Sequence, residues 1–428
     1  MKKNWLLTGL AFSFFSALLL TGCLRDECQA TLTYTVYQPV FAQPAEFRKP
    51  IQMEAARALK SPGRIYYYKD YLFINEASEG IHIIDNSNPA NPTPIGFLEI
   101  GGNGNMAIRN DILYADNYVD LVAVNIADPL HPQYISRTEN VFWDFGFYAD
   151  LGYLVDYVPT KETMEVSCND SRAGGDFFWF KGGIGVQYDV LAVAESANQG
   201  SVADQVGIGG SMARFTITNG YLYALRDWEL KIFDLKNTAK AEPAGNIQLG
   251  WGMETIFPYE DKLFFGANSG MHIYSISDPV NPQHIATFSH ANACDPVFID
   301  GNLAYVTLRD GTDCQTFNNQ LDVVDISSLS NPVLLKSWPM QNPHGLSKVG
   351  DNLYICEGKY GLKVFDASDW KKIGDRELAH LTGFTTFDII ALSGTKPVAM
   401  VIGEDGLYQF DATNPADLKQ LSVIQVQR

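Results

Sequence analysis

The chain has 428 residues, 46% hydrophobic and 19% charged, so it can bury a large core and is neither a disordered nor a collagen-like polymer. Its 49 Asp and Glu against 31 Lys and Arg leave a formal charge of -18. No basic cluster supplies the footprint that counterion release from a phosphate backbone requires, which sets nucleic acid aside as a partner.

Met1 to Asn4 is a short basic start, and Trp5 to Leu20 is an apolar run of secretory-signal length. It is marginal for a membrane span and ends in Leu20-Thr21-Gly22-Cys23, which resembles the bacterial lipobox. That resemblance implies cleavage before Cys23, diacylglycerol on its thiol, and a membrane partnership through acyl chains rather than a spanning helix. Residues 1–22 are then a lipoprotein signal peptide and 23–60 a lipidated tether with a closing strand. No Asp follows Cys23 directly, which favours the outer membrane; Leu24-Arg25-Asp26-Glu27 reads either as a surface-export tag or as a solvated tether, so either face of that membrane stays open. Thr31 to Phe41 alternates as a strand and is expected to close the ring described next by adding to its last blade.

From residue 61 onward one phrase recurs: a strand ending in Asp or a polar residue, then a turn. It reads Ile81-His-Ile-Ile-Asp85, Leu121-Val-Ala-Val-Asn125, Leu230-Lys-Ile-Phe-Asp234, Met271-His-Ile-Tyr-Ser275, Leu321-Asp-Val-Val-Asp325, Leu362-Lys-Val-Phe-Asp366 and Leu407-Tyr-Gln-Phe-Asp411. About ten residues earlier sits another strand, as in Tyr71-Leu-Phe-Ile, Ile112-Leu-Tyr-Ala and Tyr221-Leu-Tyr-Ala, and further strands precede and follow. Four short antiparallel strands per unit make the blade of a β-propeller, an all-β fold in which each blade buries its faces against its neighbours. Asp85, Asp234, Asp325, Asp366 and Asp411 read as Asx-turn residues rather than catalytic acids, because all five occupy the same turn.

The phrases at 81–85, 321–325 and 362–366 resemble the LVIVD repeat family of secreted bacterial β-propeller proteins, over residues 63 to 426. The resemblance implies a propeller outside the cytoplasm and no agreed activity.

Seven units are clear and a third is degenerate: Val141 to Phe147 and Gly152 to Val158 keep two strands, and the pattern dissolves between 160 and 210. Eight blades are expected, with seven as the alternative. The insertion holds Ala173 to Gly185, whose glycines exclude a regular helix, and reads as a functional loop or as a plug or lid on the channel. Gly101-Gly-Asn-Gly and Gly207-Ile-Gly-Gly lie between strands without a following helix, so they are not nucleotide loops.

Cys28, Cys168, Cys294, Cys314 and Cys356 accompany Cys23 in a compartment where disulfides persist. A bridge between Cys294 and Cys314 within one repeat is the simplest pairing, and Cys356, in an apolar strand, reads as a core cysteine.

Propellers bind ligands where loops converge on the innermost strands. The positions leading into those strands are Gly63, Gly104, Asp144, Ala213, Glu254, Asp295, His344 and Asp388. The carboxylates and His344 could ligate a divalent cation, the one cofactor this pattern admits, or line a water-filled polar funnel. Gly-x-Ser-x-Gly, His-Glu-x-x-His and phosphate-loop motifs are absent. The expectation is therefore a binding or scaffold propeller for an envelope protein or glycan, with a carboxylate-based hydrolase or lyase and a cation-dependent binder as alternatives.

Overall fold

The computed structural model describes residues 29–142, 146–167, 178–180, 205–226, 228–237, 240–289, 296–309 and 319–427. Residues 1–22, expected to be a signal peptide, and Cys23, Cys28, Cys168, Cys294, Cys314, Asp144 and Asp295 lie outside them. The chain divides into two compact units, one of residues 1–42 and 147–188, the other of residues 43–146 and 189–428.

The larger unit is built from the repeat. Each blade-like sheet takes four consecutive strands in simple up-and-down order, at 62–99, 106–138, 215–248, 253–289, 297–339, 346–381 and 388–425. The innermost strands touch in sequence, Pro62–Tyr68 to Met106–Arg109, then Phe215–Thr218, Met253–Tyr259, Val297–Asp300, Leu346–Val349 and Asp388–Leu392, which returns to Pro62–Tyr68. Among the described residues the ring is thus closed by seven blades. Met106–Arg109 packs directly on Phe215–Thr218, leaving no place between them for the blade expected from residues 141–158.

Residues 147–158 go to the smaller unit instead. The strand Gly152–Ser167 runs antiparallel to Gln29–Ala42 from Gln29 opposite Ser167 to Ala42 opposite Tyr153, with a bulge at Val40 and Phe41. Phe147–Tyr148 and Phe178–Phe180 flank this pair. The strand read at 31–41 therefore does not close the ring. Closure comes from Leu59, which bridges Val426, and from an amide-to-amide pair between Asn86 in the first blade and Gln409 in the last, at 2.7 and 2.9 Å.

The sequence explains the blade. Tyr68-Lys-Asp-Tyr71 and Arg109-Asn-Asp-Ile112 turn through two residues of positive φ, the hairpin geometry that matches strand twist. Leu72, Phe73 and Ile74 each have 0% exposure, because the second strand is covered on both faces by adjacent blades. That is why these strands read as nearly continuous apolar runs; burying each such side chain is worth about 1.5–3 kcal/mol. The LVIVD-type strand carries a register shift against the outer strand in all seven blades, for instance at Ile83 and Ile84, at Ile273 and Tyr274, and at Val323 and Val324. Such bulges add twist at the wide outer edge.

The turn aspartates act as expected. Asp85, Asp234, Asp325, Asp366 and Asp411 each accept a hydrogen bond from the backbone N–H two residues on, at 2.8–2.9 Å. Asn125 does the same for Ala127 at 2.8 Å. Cys356 is a buried core side chain, at 0% exposure. Among the described residues no helix is long and apolar enough to cross a membrane.

Candidate ligand site at the channel entrance

The channel holds a segment of the chain. Residues 205–212 thread through it antiparallel to the first inner strand. Gln205 accepts from the N–H of Asn110 at one end, Gly207 N–H donates to Ile108, Ile208–Gly209 pairs with Tyr67 and Tyr66, and Gly210 N–H donates to Ile65. At the far end Ser211 Oγ accepts from Leu346 N–H across the ring at 2.7 Å, and the carbonyl of Met212 accepts from Arg64 at 3.5 Å. The glycines make the passage fit. A Cβ on Gly207 would lie 2.4 Å from the Tyr66 ring, and one on Gly210 would lie 1.9 Å from Asp388 Oδ2. The motif Gly207-Ile-Gly-Gly is thus a close-packed plug, for which its lack of side chains was the only signal in the sequence.

The plug emerges at the end where the chain enters each innermost strand and where each second strand finishes. Here the structure gathers the described members of the column read from sequence. Glu254 opens the inner strand of the fourth blade, His344 precedes that of the sixth, and Asp388 opens that of the seventh. Gly63, Gly104 and Ala213 hold the equivalent places in the first three.

Four arginines join them, and the sequence reading missed all four. Arg64 and Arg214 each stand one residue after the column, while Arg226 and Arg309 lie at the ends of second strands. Only the fold makes the two kinds of position neighbours. Arg64 donates to the carbonyls of Gly104 and Met212. Arg214 Nε donates to the carbonyl of Glu254 at 3.2 Å. Arg226 pairs with Asp116 at 2.8 Å and lies 4.8 Å over the Phe142 ring. Asp116, at 0% exposure, also accepts from the N–H groups of Gly104 and Asn105 at 2.8 and 2.9 Å.

Burial perturbs these groups more than their mutual charge does. Burial first, and then the neighbouring Arg214, pull the Arg64 guanidinium down to about 9. The His344 imidazole is pushed down to about 3 by burial and by Arg309, so it is neutral. Burial raises the Glu254 carboxyl against the pull of Arg309 and Arg214. Asp388, fully enclosed, is raised well above the usual carboxylate range in spite of Ile389 N–H and Arg64. Arg64, Arg214 and Glu254 nevertheless keep part of their surface open, as side chains lining a mouth do. Two buried atoms, His344 Nδ1 and Asp388 Oδ2, have no hydrogen-bond partner among the described residues.

Among the described residues no group of three or more His, Cys, Asp or Glu could hold a metal ion, and Glu254 and Asp388 face guanidinium groups that would repel one. Of the remaining column, Asp144 and Asp295 lie outside the described residues, as does the pairing of Cys294 with Cys314.

Comparison with known proteins supports the fold. The LVIVD repeat family model matches residues 63–97 and 292–338. No curated protein matches the chain. The periplasmic gluconolactonase PpgL of Pseudomonas aeruginosa is similar in structure, with a TM-score of 0.54 at 11% identity over 85% of this chain and 96% of that one. The computationally designed protein Ika8 gives 0.50 at 11% identity over 88% and 92%. Hsv2 of Kluyveromyces lactis gives 0.48 at 12% identity over 86% and 100%. At such identities the likeness is one of fold. The chain is a β-propeller that carries LVIVD repeats.

Proposed function

We propose that this propeller is a non-enzymatic binding or scaffold lipoprotein, anchored in the outer membrane through Cys23 and engaging an envelope protein or glycan with the entrance end of its ring. The observation that carries the reading is the blind mouth. The threaded segment occupies the channel beneath a cluster of partly open charged side chains, which favours holding a ligand at the entrance over passing it through. Rigid blades below it hold the donors in place without further ordering cost, which favours recognition. The lipobox-like sequence at 20–23 supports the anchor.

A carboxylate-based hydrolase is the second reading, and it needs two acids facing one substrate. Asp388 lies behind Gly210 at 0% exposure, which places it out of a substrate's reach. The geometry therefore favours binding.

The test is affinity purification of the Cys23-anchored protein from gently solubilised membranes, with the stoichiometry of what accompanies it. A stoichiometric partner lost on Arg64→Gln supports the reading. A solitary protein that degrades a glycan, in a manner abolished by Glu254→Gln, overturns it.

A further inference from the structure

The loop between the third and fourth blades carries an indole into water. Residues 249–252 join an outer strand to the next inner strand, and Trp228 stands in the turn between the second and third strands of the third blade, so both belong to the entrance end. The rings of Trp228 and Trp251 stack with centroids 4.7 Å apart at 43°. Trp251 is 78% exposed, the most exposed large hydrophobic side chain among the described residues. Gly250 and Gly252 flank it at φ of 99° and 80°, conformations that a side chain would strain, so bare backbone lies on either side of the indole. The loop is pinned before and after it: Leu249 N–H donates to the carbonyl of Trp228 at 2.8 Å, and Asn268 N–H donates to the carbonyl of Gly252 at 3.0 Å. A stacked ring on a pinned loop loses little freedom when a ligand covers it.

The surroundings select the size and chemistry of that ligand. One indole offers at most about 250 Å², whereas each side of a stable protein interface takes about 800 Å². The other strongly exposed hydrophobic side chains described in the larger unit, Leu130, Val280, Val333 and Leu334, follow third strands and so lie at the opposite end of the ring. Among the described residues nothing therefore extends the platform to the size that a second copy or a protein partner needs. Its border is polar instead. The Asn268 amide packs against Gly252, where a Cβ would collide with it, and Asn268 and Ser269 are both exposed. A flat C–H face with hydroxyls at its edge, which a pyranose ring presents, matches an indole bordered by an amide and a hydroxyl side chain. The formal charge of -18 opposes an acidic sugar and favours a neutral one.

We propose that Trp251, backed by Trp228 and bordered by Asn268, binds a pyranose ring of a neutral oligosaccharide at the rim of the entrance. This rests on the binding reading above and names its ligand class.

The test is titration calorimetry of the full chain in a polyoxyethylene detergent, which has no sugar headgroup, with cellohexaose, maltohexaose, mannohexaose and hexagalacturonate as probes. At least one neutral hexasaccharide is expected to bind with little dependence on salt, and to lose on the order of tenfold in affinity on Trp251→Ala but less on Trp251→Tyr, which keeps an aromatic face. Trp251 is exposed, so an unchanged melting temperature of the alanine variant separates binding from folding. No binding of the three neutral probes, or binding that Trp251→Ala leaves intact, overturns the inference. Hexagalacturonate bound as tightly as the neutral probes overturns the neutral class. Tryptophan quenching by brominated phosphatidylcholine in reconstituted vesicles, abolished by Trp251→Ala, assigns the indole to lipid and overturns the sugar. A partner that the wild-type protein and the Trp251→Ala variant both retain from solubilised membranes leaves the binding reading standing when the inference falls; a wild-type protein that retains none takes both down.

Discussion

The threaded segment makes a sharp prediction at Gly210. An alanine there places its Cβ 1.9 Å from Asp388 Oδ2 and 2.8 Å from its Cγ, where ordinary contact begins near 3.4 Å, so a shift of about 1.5 Å is demanded. Neither side yields easily. Asp388 Oδ1 accepts from Ile389 N–H at 2.9 Å, and Gly210 N–H is bonded to Ile65 at 3.0 Å. Overpacking of a tight interior costs about 1–3 kcal/mol, and with both partners fixed Gly210→Ala is expected in the upper half of that range. Gly104→Ala is the control, since its Cβ would meet nothing nearer than the Arg64 guanidinium at 3.8 Å. Both variants reduce the freedom of the unfolded chain alike, so their difference isolates the clash. Urea unfolding followed by tryptophan fluorescence gives the midpoints. In an Asp388→Ala background the cost of Gly210→Ala is expected to fall by more than about 1 kcal/mol, because the two residues are in direct conflict. Equal losses for Gly210→Ala and Gly104→Ala, or an undiminished loss without Asp388, would refute the threading.

Three further outcomes follow from the charges. The Asp388 carboxyl is raised in the fold, so the folded state keeps its proton longer than the unfolded chain and stability drains away as pH rises above the unfolded value; Asp388→Asn is expected to raise the melting temperature, more at mildly alkaline than at acid pH. His344 is held neutral down to about 3, so the unfolded chain takes up its proton first on acidification, and stability is lost as pH falls from about 6.5 towards 3; His344→Gln should flatten that part of a pH–melting curve. The aspartates at 85, 234, 325, 366 and 411 are lowered by their turn N–H groups and by Ser87, Lys236, Ser327, Ser368 and Thr413, so their contribution is present above the unfolded carboxylate range and lost as pH falls through the folded values. Because Asn125 already makes the same turn, replacing all five with Asn should preserve the fold at neutral pH and reduce its acid sensitivity; circular-dichroism melts across pH would show a retained acid limb if the turns are irrelevant.

Much of the fold was legible because the propeller is written locally. The Asp-to-N–H turns and the two-residue hairpins at 69–70 and 110–111 depend on neighbours within one repeat, the second strands are buried in the same way by the blades on either side, and each leaves a residue pattern. The column ending in Glu254, His344 and Asp388 was legible for the same reason, since equal places in a repeat become equal places in a ring. The tertiary structure alone decided what strands without a repeat partner would do. Gly152 to Val158 alternates like a blade strand, yet it pairs with Gln29–Ala42, a choice made by a distant segment, and among the described residues the ring closes at seven. Arg226 and Arg309 sit at strand ends with no periodic mark, and they meet Arg64, Arg214 and Glu254 only because the ring brings second-strand ends beside first-strand starts. The plug was least legible of all. Its glycines carry no side chain to pattern, and their purpose exists only where the segment packs against Tyr66 and Asp388 of the inner strands.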